Sequence, residues 1–126
     1  MKLNQDQNAG INMVTGYGAD HLMVNKVRHE GSLLLTADRI VAGWAAGGFE
    51  GLTEADFAAA RDLGVEIVLV GTGARQRFPQ PALLRPLINA RIGFEIMDLA
   101  AACRTYNILV GEGRSVAAAL ILDPPA

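Results

Sequence analysis

The sequence has 126 residues, of which 51% are apolar, 19% are charged and 6% are aromatic, and its formal net charge is −2. This length and apolar content predict one folded domain with its own core and exclude an intrinsically disordered chain. The single cysteine, Cys103, excludes an intramolecular disulfide and a zinc site built from cysteines.

The ends of the sequence suggest no targeting or membrane-spanning segment. Residues 1–12 lack the apolar core of a signal peptide. The longest uninterrupted apolar run, residues 116–122, is far shorter than the roughly 20 residues that a helix needs to cross a bilayer. We therefore expect a cytoplasmic protein without direct membrane insertion. Residues 13–122 are expected to form a single domain between a flexible N-terminus (1–12) and a flexible tail (123–126).

Charge is unevenly distributed along the sequence. Residues 1–74 hold five basic and nine acidic residues, whereas residues 75–114 hold six arginines, no lysine and three acidic residues. A segment rich in arginine suits an anion or an acidic partner, although a general preference for arginine over lysine also accounts for it. The isoelectric point near 5.6 argues against nucleic-acid binding.

The first third of the chain predicts short β-strands. Four apolar or β-branched stretches are separated by glycine-rich turns, at residues 13–17, 22–27, 32–35 and 40–44. We predict a hairpin corner at residues 29–31. Trp44 lies among small uncharged residues, so a buried position is expected.

The rest of the chain alternates helices with apolar strands. Thr53 is a typical N-cap, and Gly64 is expected to end the helix that follows. The later helices are predicted at about residues 82–90, where Pro86 either delays or kinks the helix, and from Asp98 to about residue 109. Strands are predicted between and after these helices, at residues 65–70, 93–97 and 115–122.

The order β-β-β-β-α-β-α-β-α-β defines the expected fold class. Helices that alternate with apolar strands form right-handed crossovers around a parallel core. We predict an α/β, three-layer single domain: a mixed, mostly parallel central sheet, an N-terminal antiparallel β layer and about three helices.

Ligands of open α/β sheets bind beyond the carboxyl ends of the strands, which directs attention to two parts of the chain. One is the Gly-Thr-Gly turn after the strand at 65–70, where backbone amides and arginines suit an anion. The other is the strand end at Met97 and Asp98. Polar residues that flank the third helix and the last strand add a candidate pocket. Together they provide the candidate ligand-binding residues Gly71, Thr72, Gly73, Arg75, Arg104, Asn107, Glu112 and Arg114. Structural alternatives are a tight strand exit, an Asn107 bond to loop backbone and a Glu112–Arg114 surface pair.

No residue pattern predicts catalysis or metal binding. Cys103 lies among alanines and is expected to be a small buried hydrophobe. His21 and His29 lack the spacing of a metal site. Asp98 is explained as a helix cap. We assign no catalytic residue, no metal and no cofactor.

The C-terminal part of the chain resembles a known family. Residues 93–98, 101–109 and 112–120 are similar to the signature of a small domain family of unknown function. That family includes mitochondrial respiratory complex I assembly factor 3 and an adipogenesis-associated human protein. The resemblance extends upstream through Trp44 and the Gly-Thr-Gly turn, so it covers about residues 13–122. Asp98 stands where relatives often have threonine, and both residues cap helices.

The resemblance implies a compact α/β fold and no established enzyme activity. It also implies a role in protein binding, since the mitochondrial member is an assembly factor. We expect a non-catalytic interaction domain with unidentified protein partners, and the resemblance implies a role in the assembly of a respiratory or membrane complex. The alternative is a small-anion or small-molecule binding domain, or an unrecognised enzyme, that uses the carboxyl ends of the strands.

Overall fold

The computed structural model describes residues 10–124, so the expected flexible ends lie partly outside the described residues. Residues 10–12 and 123–124 of those ends lie inside it, and hydrogen bonds hold Asn12 and Asp123. Asn12 Nδ2 donates to the Thr36 carbonyl at 3.0 Å, and Asp123 Oδ1 accepts from the Phe49 amide at 3.1 Å. The folded part therefore includes Asn12 and Asp123.

Residues 10–124 form eight strands and three α-helices. In chain order they are β1 (Val14–Tyr17), β2 (His21–Val24), β3 (Val27–Glu30), β4 (Leu33–Leu35), β5 (Ile40–Ala42), α1 (Glu54–Arg61), β6 (Ile67–Gly71), α2 (Arg85–Asn89), β7 (Gly93–Met97), α3 (Leu99–Gly111) and β8 (Val116–Leu120). Single 3₁₀ turns at Phe49–Gly51 and Pro81–Leu84 precede α1 and α2.

The strands form two sheets. Strands β1, β2 and β3 make an antiparallel sheet, and the central sheet has the order β5-β4-β8-β6-β7. Within the central sheet β6 pairs in parallel with β7 and β8, while β4 pairs antiparallel with β5 and β8. This mixed α/β architecture confirms the predicted fold class. Strands β4 and β5 extend the central sheet rather than the separate layer.

The predicted hairpin corner at residues 29–31 is wrong. The predicted strand 22–27 is divided into β2 and β3 by a two-residue turn at Asn25 and Lys26, and β3 then continues to Glu30. Both turn residues have positive φ, 52° and 68°, as a tight hairpin turn requires. Lysine is rare in that conformation, which is why composition did not reveal the turn.

The two faces of the central sheet carry two separate clusters of buried side chains. Ala118 and Leu120 of β8 face α3 and the three-stranded sheet, whereas Ala117 and Ala119 face α1 and α2. This alternation is the period of two that a strand imposes. The layers are therefore two helices, the central sheet, and α3 together with the small sheet. Small alanine side chains on β8 let these layers approach the sheet closely.

Local sequence determines where the helices begin. Thr53 and Asp56 form a capping box at α1, in which Asp56 Oδ2 accepts from the Thr53 amide at 2.9 Å. Pro86 lies in the first turn of α2, so the proline delays this helix rather than kinking it. Trp44 is buried as expected, and its indole N–H donates to the Asp56 carbonyl at 2.8 Å.

Candidate functional site

The Gly-Thr-Gly turn leaves the carboxyl end of β6 and is closed by its own middle residue. The Thr72 hydroxyl donates to the Arg75 carbonyl at 2.8 Å and accepts from the Arg77 amide at 2.9 Å. Thr72 is fully buried, so this hydroxyl stabilises the loop and is not presented to a ligand. Gly73 has a φ of 92°, and its carbonyl accepts from the Leu99 amide at 2.8 Å. The turn thereby joins β6 to the start of α3.

The two arginines of the following loop differ in their surroundings. Arg77 donates from Nη2 to the Thr72 carbonyl at 2.6 Å and to Asp123 Oδ2 at 2.9 Å, and its guanidinium lies 4.4 Å from the centre of the Phe49 ring. Arg75 is exposed. Arg77 therefore joins three chain segments at this edge, whereas Arg75 is free to face solvent.

Asn107 has a structural use on α3. Its Oδ1 accepts from the Val14 amide at 2.9 Å, and its Nδ2 donates to the Val14 carbonyl at 2.8 Å. The neighbouring Tyr106 hydroxyl donates to the Asn12 carbonyl at 2.8 Å. These bonds attach the first strand to α3, as the backbone alternative for Asn107 anticipated.

The remaining predicted site residues lie elsewhere. Arg104 is exposed on α3. Glu112 and Arg114 are exposed just before β8, at the amino end of the strands, because β8 runs parallel to β6 and its last residue pairs with Gly71. Within residues 10–124 Glu112 and Arg114 form no ion pair with each other. The eight candidate residues therefore do not meet in one cleft, which removes the geometric basis for a single anion site built from all of them.

A cleft of about 940 Å³ opens at the carboxyl edge of the central sheet. Four parts of the chain line it: the β1–β2 turn, the exit of β6, the start of α3 and the segment after β8. The lining residues are Tyr17, Gly18, Ala19, Asp20, Gly73, Ala74, Asp98, Leu99, Ala100, Leu122, Asp123 and Pro124. Of the eight predicted residues only Gly73 is among them.

The sequence predicted two of the four walls of this cleft, the exit of β6 and the start of α3, and not the β1–β2 turn or the segment after β8. The strand end at Asp98 was recognised, and Asp98 caps α3 as predicted, because its Oδ1 accepts from the Ala101 amide at 2.8 Å. Tyr17 and Asp20 come from a hairpin turn that is distant in sequence. No local pattern signals that this turn reaches the carboxyl edge of another sheet.

The side chains of the cleft lining that are charged at neutral pH are all carboxylates. Asp20, Asp98 and Asp123 belong to the lining, and no lysine, arginine or histidine does. The hydrogen bond with the His21 ring, together with the charge of Arg28, holds the pKa of Asp20 below its usual range. Asp20 is therefore negatively charged at neutral pH.

Cys103 lies on the buried face of α3. Its side chain is buried, and burial raises the pKa of the thiol to about 12. A thiol with so high a pKa is almost entirely protonated at neutral pH and is a poor nucleophile. The prediction of a small buried hydrophobe is confirmed.

The described residues contain neither a metal-binding cluster nor a membrane-spanning helix. Residues 10–124 contain no group of three or more histidine, cysteine, aspartate or glutamate side chains that would hold a metal ion. The same part of the chain contains no helix that is both long and apolar enough to cross a bilayer.

Known proteins are similar in sequence to this chain over most of its length. The NADH dehydrogenase (ubiquinone) 1 alpha subcomplex assembly factor 3 of Bos taurus is 36% identical over 113 residues, which is 88% of this chain and 61% of the bovine protein. The protein of the same name in Homo sapiens is 32% identical over 126 residues, which is 98% of this chain and 68% of the human protein. The chain thus spans about two thirds of these relatives.

The fold also has an experimental counterpart. A crystal structure of a Bordetella parapertussis protein matches this chain with a TM-score of 0.82 and 40% sequence identity, and the match covers 91% of this chain and 98% of that one. A model of the family described as protein of unknown function (DUF498/DUF598) matches residues 14–121. The recognised resemblance is thereby confirmed, and the chain belongs to this family.

Proposed function

We propose that this chain is a non-catalytic protein-interaction domain that takes part in the assembly of a respiratory NADH dehydrogenase complex. The observation that carries the proposal is the match to relatives named as assembly factors of that complex, over 88% and 98% of this chain. The family model matches residues 14–121, which include both sheets and all three helices. On this proposal, the surface that receives partner proteins belongs to the fold that the family shares.

The structural roles of several polar and nucleophilic side chains support a binding function rather than a catalytic one. Thr72 closes a loop, Asn107 attaches β1 to α3, Asp98 caps α3 and Cys103 fills the core. These four side chains are therefore engaged in holding the fold together. A domain built in this way is suited to present a fixed surface to another protein.

The proposal is tested by deleting the gene for this chain in a host that makes it together with the NADH dehydrogenase complex. We expect the amount of fully assembled complex on native gels, and the NADH:quinone activity of the membranes, to fall at least threefold. A plasmid copy of the wild-type chain should restore both. An affinity-tagged copy should also recover a subunit or another assembly protein of the complex from native extract.

Unchanged complex and unchanged activity in the deletion strain would contradict the proposal. A matched control is the Asp62→Arg variant, because Asp62 is exposed just after the end of α1 and does not belong to the cleft lining. This variant should restore assembly as fully as the wild-type chain.

A further inference from the structure

The walls of the carboxyl-edge cleft are fixed before any partner arrives. The Gly18 amide donates to the His21 carbonyl at 2.9 Å and closes the β1–β2 turn. The Ser32 hydroxyl donates to the Leu122 carbonyl at 3.1 Å and accepts from the Leu122 amide at 2.7 Å, which holds the segment after β8. A guest that enters a preformed cleft does not bear the entropic cost of ordering its walls.

The cleft offers apolar contact as well as charge. Leu99 and Leu122 are nearly buried in its wall, and the Tyr17 side chain at its rim is 48% exposed. An exposed tyrosine beside apolar walls is the kind of residue that contributes strongly to protein–protein contacts.

Three carboxylates line the cleft and two arginines, Arg28 and Arg77, contact them from outside the lining, so the cleft keeps a net negative charge that suits a cation. Its lining includes three carboxylates and no basic side chain. His21 and Arg28 contact Asp20, and Arg77 contacts Asp123, but none of these three basic residues belongs to the lining. The side chains of Asp20 and Asp123 remain 71% and 49% exposed, so both are accessible to a guest.

The cleft adjoins a second depression, and together they are larger than a small ligand needs. A second depression of about 380 Å³ shares Asp20, Leu122, Asp123 and Pro124 with it and adds Glu30. The two depressions form one groove with apolar walls and acidic side chains along its length. A groove of this extent fits a segment of polypeptide better than a single compact cation.

We infer that this groove binds a segment of a partner protein in which an arginine or lysine lies between apolar side chains. This inference rests on the proposed function, since the groove would be the surface through which the domain contacts its partner proteins. The basic side chain lies among the carboxylates of Asp20, Asp98 and Asp123, and its apolar neighbours contact Tyr17, Leu99 and Leu122.

The direct test is a titration of isotopically labelled protein with two short peptides, followed by NMR. The peptides are acetyl-Leu-Arg-Leu-amide and acetyl-Leu-Glu-Leu-amide, and the third probe is arginine amide. We expect the arginine peptide to shift amide signals of the groove residues and to bind at least fivefold more tightly than either other probe. Equal binding of the glutamate peptide, or shifts scattered over the surface, would overturn the inference. Equal binding of arginine amide would indicate a small-cation site instead and would also overturn it.

Two variants locate the effect. Asp20→Arg should weaken the arginine peptide at least fivefold, and Tyr17→Ala at least threefold. The control Asp62→Arg reverses a similarly exposed carboxylate that also contacts an arginine, so it should leave binding unchanged. The amide spectrum of each variant shows whether it is folded. An equal loss in the Asp62→Arg variant would mean that the peptide senses only net charge, which contradicts a groove site.

The outcomes separate this inference from the proposed function. If gene deletion leaves the complex intact while the arginine peptide binds the groove, the proposed function is wrong and the binding surface stands. If deletion impairs assembly but the Asp20→Arg and Tyr17→Ala variants both restore it fully, the proposed function stands and the groove is not the docking surface.

Discussion

The two edges of the central sheet are built in different ways. At the carboxyl edge, side chains join separate loops: Arg77 and Asp123 connect the exit of β6, the turn at Phe49 and the segment after β8. At the amino edge the contacts are mainly between backbone groups, such as the Gly93 amide and the Glu66 carbonyl at 3.0 Å. Glu112 and Arg114 point into solvent there.

This difference shows that the paired polar side chains of the fold lie mainly at the carboxyl edge. Buried or half-buried polar groups must be paired, and those at the carboxyl edge are paired with one another or with backbone. Exposed charges at the amino edge are already hydrated and contribute little to stability. A preformed cleft therefore lies at the edge whose loops are fixed by side chains, and substitutions at the two edges should have unequal effects.

The largest expected difference concerns a glycine at each edge. A Cβ atom on Gly71, at the carboxyl end of β6, would lie 2.8 Å from the Ala102 Cβ and 3.4 Å from the Leu99 backbone. Gly71→Ala must therefore push α3 away from the sheet, and we expect it to lower the free energy of unfolding by about 2–3 kcal/mol. Urea unfolding followed by circular dichroism measures this loss.

The matched control is Gly93→Ala at the amino end of β7. A Cβ atom there would meet the Glu66 carbonyl at 3.6 Å, which is ordinary contact, so we expect a change within about 0.5 kcal/mol. Equal losses in the two variants would show that the carboxyl edge is no more tightly packed than the amino edge.

The second prediction concerns the two arginines of one loop. Arg77→Met keeps an apolar stem over the Phe49 ring but removes the hydrogen bonds to the Thr72 carbonyl and to Asp123. We expect a loss of about 1–2 kcal/mol in the free energy of unfolding, because a partly buried carbonyl and a carboxylate lose their donor. Chemical denaturation at neutral pH is the measurement.

Arg75→Met tests whether this effect is specific. Arg75 is two residues away and exposed, so its replacement should change stability by no more than about 0.5 kcal/mol. A larger loss from Arg75→Met than from Arg77→Met would refute the assignment of Arg77 as the residue that joins the loops.

Most of the fold was predictable because its signals are local. The capping residues Thr53 and Asp98, the β-branched strand β6 and the proline at α2 each determine a nearby element, and the structure has them where they were expected. The turn at Asn25 and Lys26 was not predicted, since lysine with positive φ is held there by strand pairing and not by its own preference.

The candidate site was much less predictable, and the reason is geometric. Parallel strands were expected to bring their carboxyl ends together, which placed Gly73 and Asp98 at one edge. Glu112 and Arg114 precede β8 and lie at the other edge, although they are close to α3 in sequence. Asp20 and Tyr17 reach the cleft through the packing of two sheets, and no spacing in one sequence encodes such packing.

Helix α3 runs from the carboxyl edge to the amino edge, and Cys103 reports on the packing between them. Burial raises the pKa of its thiol to about 12, whereas an unfolded thiol loses its proton near pH 8.5. Because the pKa is higher in the folded state, keeping the thiol protonated stabilises the fold. This contribution to the free energy of unfolding is complete below about pH 8.5 and declines as the pH rises toward 12. Linkage gives a loss of roughly 1 kcal/mol between pH 8.5 and 9.5.

The Cys103→Ala variant isolates this contribution, because it keeps every other titrating group. At neutral pH the variant should have a lower free energy of unfolding than the wild-type chain, because a buried side chain has been shortened. Between pH 8.5 and 9.5, however, its free energy of unfolding should fall less steeply. The interval stops below about pH 10, where an unfolded tyrosine begins to lose its proton and where the raised pKa of Tyr106 in the folded state would add its own decline. Parallel pH profiles for the two proteins would mean that the thiol reaches solvent in the folded state. In that case α3 would not seal the core between the two edges, and the contrast between a fixed carboxyl edge and a solvated amino edge would lose its structural basis.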